Sequence, residues 1–292
     1  MTVDLGRVGV WDWGFAGAPA AVLREALPEI EELGYGAVWY PEAVSKECLS
    51  NAALLLSFSD RIVVATGIAN IYARDAWAAA NGARTLGDAF PGRFVLGIGV
   101  SHSHLVAGRG HEYLRPIPTM RAYLDGMDAA AYSGPEPAEP VPVILAALGP
   151  KMLDLARERT AGAHPYFVPV EHTATARERL GPDRLLLVEQ AVILTTDETK
   201  AREIARQHTA VYLGAENYRN SMLRLGFEEA DLENAGSDRL LERIVVWGDE
   251  DAIRARVQAH LDAGADHVCI QSLPGEFDLG PIRALAPALT SI

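Results

Sequence analysis

The residues able to do chemistry in this chain gather where short apolar runs end. One run closes on Trp11-Asp12-Trp13, and two indoles there can wall a pocket for a flat ligand or simply pack. A second closes on Tyr40-Pro41-Glu42. Its carboxylate is either an acid–base group or an anchor for a backbone N–H. A third passes through Thr66-Gly67-Ile68-Ala69-Asn70, where Gly67 permits a ligand to approach the backbone or serves a plain turn. A fourth runs Gly97-Ile98-Gly99-Val100-Ser101-His102-Ser103-His104. Its paired glycines also open the backbone, but no third follows at the spacing of a dinucleotide fingerprint.

A fifth run passes through Ala146-Ala147-Leu148-Gly149-Pro150-Lys151-Met152 and opens a helix. Gly149 suits the N-cap and Pro150 the first helical position. The free N–H groups of that turn, with the helix dipole, make an anion site, and Lys151 adds a charge. A sixth run passes through Gly162-Ala163-His164-Pro165-Tyr166, where His164 either faces the same mouth or is a satisfied core histidine. His102, His104, Lys151, His164 and Asp266 are also ligand types of metal-dependent hydrolases. Their order argues against a metal site. The H-x-H pair follows the fourth run rather than the first, and Asp266 precedes its run.

The elements that must position these groups alternate. Strands are expected at 7–11, 36–40, 61–66, 93–98, 141–146, 162–168, 185–194 and 266–271. Helices are expected at 19–33, from the second strand to 59, and at 75–90, 118–132, 150–160, 171–180, 249–263 and 281–290. Gly34 and Gly264 read as helix stops, and Pro28 should kink the first helix or mark its start. A long helical insertion, 197 to about 226, follows strand seven. The proline-rich stretch 133–142 is read as a stiff loop within one domain, 1–292, because the alternation resumes at once. Eight such units fit an α/β fold, the (β/α)8 TIM barrel, with its site at the carboxyl ends of the strands. A doubly wound sheet would need a glycine-rich turn where Trp11-Asp12-Trp13 stands.

Composition narrows the partners. The 292 residues carry 26 basic and 39 acidic side chains, a net charge of −13, which disfavours nucleic acid and anionic membranes. An apolar share of 49 % supplies a core. Two cysteines exclude a disulfide framework, and no leader or spanning segment is evident, so a cytoplasmic protein is expected.

Taken in order, GYGAVWYPEA (34–43), RIVVATGIANIYARD (61–75), PGRFVLGIGVSH (91–102), AALGPKMLDLARERTAGAHPYFVP (146–169), ENYRNSMLRLGF (216–227) and GADHVCIQ (264–271) resemble the luciferase-like, flavin-type monooxygenase superfamily. Within it, the chain is similar to the branch of coenzyme F420-dependent oxidoreductases. The resemblance implies a deazaflavin, or alternatively FMN, across the carboxyl end of the barrel, and a homodimer acting on a small molecule. It implies that the ring rests at Thr66, Gly67 and Ile68, where many relatives hold a non-prolyl cis peptide. It implies further contacts from Val100 and Ser101, a phosphate turn from Ala147 through Met152, and a neighbouring segment from Ala163 through Tyr166.

Where many relatives carry an acid–histidine pair after strand two, this chain has Glu42 followed by Ala43. Where some carry a glutamate after strand four, it has His102. His102 is therefore the expected proton-exchanging group, with Glu42 orienting it or the substrate. Trp11, Trp13, Asn70 and Tyr218 are expected to wall the substrate pocket. An FMN monooxygenase and a non-catalytic flavin-binding protein are the alternatives.

Overall fold

The architecture is that of a computed structural model, which describes residues 3–275 and 277–292. Among the described residues ten strands form in chain order: β1 (Val8–Trp11), β2 (Ala37–Tyr40), β3 (Val63–Thr66), β4 (Ala69–Asn70), β5 (Phe94–Gly99), β6 (Val143–Ala146), β7 (Gly162–His164), β8 (Leu185–Leu194), β9 (Val245–Gly248) and β10 (His267–Ser272). Eight of them close a ring, β1-β2-β3-β5-β6-β7-β8-β10 and back to β1. Every pairing is parallel. This is a (β/α)8 barrel, and its eight ring strands are those expected from the sequence.

Two short strands were not legible. β4 is a two-residue continuation of β3 that pairs with β5, Asn70 beside Gly99. β9 pairs with the upper half of β8, from Ala191 to Leu194, above the point where β7 leaves it. β7 stops at His164 rather than running to 168. Pro165 brings no N–H to the ladder, and Phe167 adopts φ +59°, which no strand tolerates.

The helices follow the caps written in the sequence. Asp75, Asp197 and Asp249 each accept a first-turn N–H at the starts of Ala76–Ala89, Glu198–Leu213 and Glu250–Asp262. Gly34 and Gly264 end their helices with φ of +93° and +102°. Pro28 does not mark a start: it lies inside the helix Ala20–Glu32. The insertion is helical, as expected, and consists of Glu198–Leu213 and Glu216–Arg224; a further helix Asp238–Ile244 leads into β9. Ser103–Gly108 is a short helix absent from the sequence reading. The stretch 133–142 joins helix Pro116–Asp128 to β6, which pairs with β5. Among the described residues no helix is long and apolar enough to cross a membrane.

The barrel is filled rather than hollow. Trp11, Trp39, Val95, Ile144, Leu187 and Cys269 pack inside it, while the faces between strands and helices form a second core. Trp39 donates its indole N–H to His267 Nε2 at 3.1 Å, and His267 Nδ1 in turn donates to the Gly6 carbonyl. Burial lowers the His267 pKa to about 4 against the opposing pull of the bond to Gly6, so the ring is neutral.

Candidate active site

The mouth is built on a floor at Gly67. Trp11, from the end of β1, donates its Nε1–H to the Gly67 carbonyl at 3.2 Å. His164 lies beneath, stacked on Trp39 at 4.6 Å between ring centroids. Its Nδ1–H goes to the Leu187 carbonyl at 2.8 Å, so Nε2 is the unprotonated nitrogen, buried and without a partner. Burial pulls its pKa down to about 4. His164 is thus a core histidine under the floor. The Gly67–Ile68 peptide is cis, as the resemblance implied. The Ile68 side chain lies over Gly99, where an added Cβ would come within 2.7 Å of it.

Glu42 and Asn70 form one rim. Both Glu42 oxygens bind the Arg74 guanidinium, Oε2 at 2.9 Å from Nη1, and Oε2 also accepts the Asn70 N–H at 2.8 Å. Glu42 spends its carboxylate on these partners, and the bond to His102 expected of an orienting acid is not among them. Asn70 accepts the Tyr72 N–H on Oδ1, while its Nδ2 is buried without a partner.

His102 stands at the head of helix Ser103–Gly108, 5.7 Å from Tyr218 and 6.0 Å from His104 by ring centroid. Burial lowers its pKa and the neighbouring His104 adds to the effect, against a bond to Asn217. Beside it a cavity of about 350 Å³ opens between Ala43–Ser45 and His104–Arg109. A second cavity, about 320 Å³, lies at Val3, Phe94 and Val141, the amino end of the barrel, away from these groups.

The opposite rim is aromatic. Tyr166 donates to Gln271 Oε1 at 2.6 Å, because an amide oxygen only accepts. Tyr166 then accepts from Tyr212 at 2.5 Å, and Tyr212 accepts from the Trp13 indole. Tyr218 packs edge-on against Phe167 and Tyr212. The insertion helices supply Tyr212 and Tyr218, so the insertion roofs this side.

The phosphate turn sits at the end of β6. Gly149 is the N-cap of helix Pro150–Arg159 in extended conformation, with no side chain capping it. The guanidinium of Arg224 stands over Gly149, 3.6 Å from where a Cβ would lie. Among the described residues Arg224 has no acidic partner, and Lys151 is exposed. An open helix N-terminus beside a free cation fits the phosphate of a bound cofactor.

The structure thus brings Trp11, Trp13, Gly67, Ile68, Asn70, His102, Tyr166 and Tyr218 to one end of the barrel, with Val100, Ser101, Leu148, Gly149 and Pro150 around them. The side chains of Ala147, Met152 and Ala163 pack in the core between barrel and helices. Thr66 spends its hydroxyl on the Gly97 carbonyl at 2.7 Å. Asp266 lies at the far end, on Arg177 and the Leu186 N–H, away from His102 and His164.

Two buried acids were missed. Asp12 follows the inward Trp11 and accepts the Gly14 N–H, and burial raises its pKa to about 7. Glu189, inside β8, accepts the Phe167 N–H at 3.0 Å, and burial raises it to about 8. A lone Glu in the apolar run LLLVEQAVIL was the readable signal for the second.

Fold and site together define a (β/α)8-barrel enzyme that works at the carboxyl ends of its strands. The chain belongs to the luciferase-like monooxygenase family, whose model matches residues 7–267. It is 24 % identical over 280 residues to a 5,10-methylenetetrahydromethanopterin reductase of Methanolobus tindarius, covering 82 % of this chain and 86 % of that one. It is 24 % identical over 319 residues to a putative coenzyme F420-dependent oxidoreductase of Mycobacterium tuberculosis, covering 86 % and 91 %. Its fold superposes with a TM-score of 0.74 on the coenzyme F420-dependent tetrahydromethanopterin reductase of Methanopyrus kandleri, at 16 % identity and 100 % and 99 % coverage.

Proposed function

We propose that this chain is an F420-dependent oxidoreductase acting on a small organic substrate. The observation that carries the reading is the open N-terminus of helix Pro150–Arg159, with Arg224 over it, on the same mouth as the Gly67–Ile68 floor. An anionic tail and a flat ring find their complements there. The relative named as a putative coenzyme F420-dependent oxidoreductase supports the choice of cofactor over FMN.

The cofactor supplies hydride transfer at its ring. The residues that would hold it are Gly67 and Ile68 beneath the ring, Val100 and Ser101 at its edge, and Gly149, Pro150 and Lys151 with Arg224 at the phosphate. Tyr166 closes the side towards the insertion. His102 exchanges the substrate proton. Its lowered pKa leaves it neutral at pH 7, ready to accept a proton when substrate is oxidised. Glu42 acts by holding Arg74 and Asn70. The reading includes a homodimer in the cytoplasm with no nucleic-acid partner, supported by the family resemblance and the charge of −13.

The test is binding of oxidised F420 and of FMN to the purified protein, by fluorescence and thermal shift. A ligand that binds the native state raises its stability in proportion to the logarithm of concentration over Kd. Selective micromolar binding of F420 is the expected result. Selective FMN binding replaces this reading with a flavin monooxygenase. Binding of neither removes both.

A further inference from the structure

Asn70 carries an amide whose donor half is unspent. Its Oδ1 accepts the Tyr72 N–H at 2.9 Å. Its backbone N–H goes to Glu42 Oε2 at 2.8 Å, and its carbonyl accepts the Ala73 N–H at 3.0 Å. The residue is 1 % exposed, yet Nδ2 donates to none of the described residues. The amide cannot be turned round, because that would set its NH2 against the Tyr72 N–H, donor facing donor. A buried donor with no acceptor is costly, and a ligand oxygen is what satisfies it.

The register fixes where this donor stands. Ala69 packs in the outer core, so strand alternation turns Asn70 to the inner face. Its partner across the ladder is Gly99. The missing side chain of Gly99 would point at Ile68 and Ala146, on the mouth side. Asn70 therefore shares the mouth with the Gly67–Ile68 floor.

Charge selects the acceptor. Arg74 is held by Glu42 and by Glu47 at 2.8 Å, two carboxylates on one cation. An anionic oxygen brought to Nδ2 meets that excess negative charge, whereas a neutral oxygen does not.

We propose that Asn70 Nδ2 is the substrate-orienting donor of this site, and that the substrate is a neutral ketone or aldehyde whose oxygen it holds. The proposal rests on the hydride-transfer reading above. In reduction, the carbonyl carbon would take a hydride from the reduced deazaflavin, the C–O π pair would move onto oxygen, and oxygen would take a proton from His102, which recovers one from solvent. The deazaflavin is oxidised by two electrons. Negative charge grows on the oxygen during this step, so a donor already aimed there stabilises the transition state more than the ground state.

The test compares the wild type with Asn70→Asp, which keeps the acceptor for Tyr72 and loses the donor, and with Asn70→Leu. Three quantities are read: the Kd for oxidised F420, the Kd of the F420-bound protein for the non-reducible carbonyl probe 2-pyrrolidinone, and turnover of cyclohexanone, hexanal and pyruvate with reduced F420. The wild type is expected to reduce a neutral carbonyl in preference to pyruvate. Both variants should keep the F420 Kd within about twofold, weaken 2-pyrrolidinone about tenfold, and lose about 10²-fold or more in kcat/KM, mostly in kcat.

A wild type that binds no F420 overturns the hydride-transfer reading and this proposal with it. A wild type that binds F420 but reduces no neutral carbonyl, or prefers pyruvate, overturns the proposal alone. So do variants with unchanged turnover and 2-pyrrolidinone affinity. Variants that lose F420 affinity tenfold assign Nδ2 to the cofactor instead.

Discussion

Arg74 grips Glu42 through two parallel N–H···O bonds at the rim of the mouth, and both side chains are nearly buried. Removing the guanidinium would leave a buried carboxylate with only the Asn70 N–H. We expect Arg74→Met to cost on the order of 3–5 kcal/mol of stability, the loss typical of breaking one side of a buried pair. The double variant Arg74→Met with Glu42→Leu should recover part of it. Urea unfolding of both reads this out. A single variant as stable as the wild type would show that the pair carries nothing.

Stability should pass through a maximum near neutral pH, and the signs come from opposing groups. Burial lowers His164, His208 and His267 to about 4 and His260 to about 3, against about 6.5 in the unfolded chain. Each contributes stability that is present above pH ~6.5 and is lost as pH falls towards its folded value. Asp12 and Glu189 act the other way. Raised to about 7 and about 8, they contribute stability below about pH 4 that is lost as pH rises through those values. Between about pH 4.5 and 6.5 the histidines outnumber the acids, so stability rises; above that the acids alone titrate and it falls. Thermal melts from pH 5 to 9 should peak near pH 6.5. A monotonic rise to pH 9 would contradict the neutral state of Asp12 and Glu189.

The barrel was legible because its strands announce themselves as short apolar runs and its helices carry Asp caps and glycine stops. The site was legible in type but not in orientation. His164 and Glu42 have the right chemistry at strand ends, yet one lies under the floor and the other is bound by Arg74, a partner 32 residues on. Nothing local in the sequence states such a pairing. Tyr212 and Gln271 were missed for the same reason, since the chain of hydroxyls exists only once the insertion folds over β7. Asn70 was singled out for its place after Gly67, but its unspent donor needed the Tyr72 bond to be seen.

The floor tolerates no added carbon. A Cβ on Gly67 would stand 2.7 Å from Trp11 Nε1 and 3.1 Å from His164 Nε2. Trp11 is pinned by its bond to the Gly67 carbonyl, and His164 by Leu187 and the Trp39 stack, so neither ring can yield cheaply. Gly67→Ala should cost about 1–3 kcal/mol and weaken cofactor binding, while tryptophan fluorescence shifts. Unchanged stability would mean that the Trp11 ring moves freely.

Arg224 offers the cleanest separation of binding from folding. It lies on the surface of helix Glu216–Arg224, and burial lowers its pKa without any acid to oppose the effect. Its removal breaks no ion pair, so Arg224→Ala should change stability by less than about 0.5 kcal/mol. Its bond to a cofactor phosphate would be charge-assisted, worth about 1.5–3 kcal/mol, so the same variant should bind F420 roughly 10- to 100-fold more weakly. The salt dependence of binding should shrink with it, because one fewer cation faces the anion. Arg224→Lys keeps the charge but not the planar fork and should fall between the two. If Arg224→Ala binds F420 with wild-type affinity and wild-type salt dependence, the anion is held by the helix N-terminus and Lys151 alone. The insertion then only roofs the site.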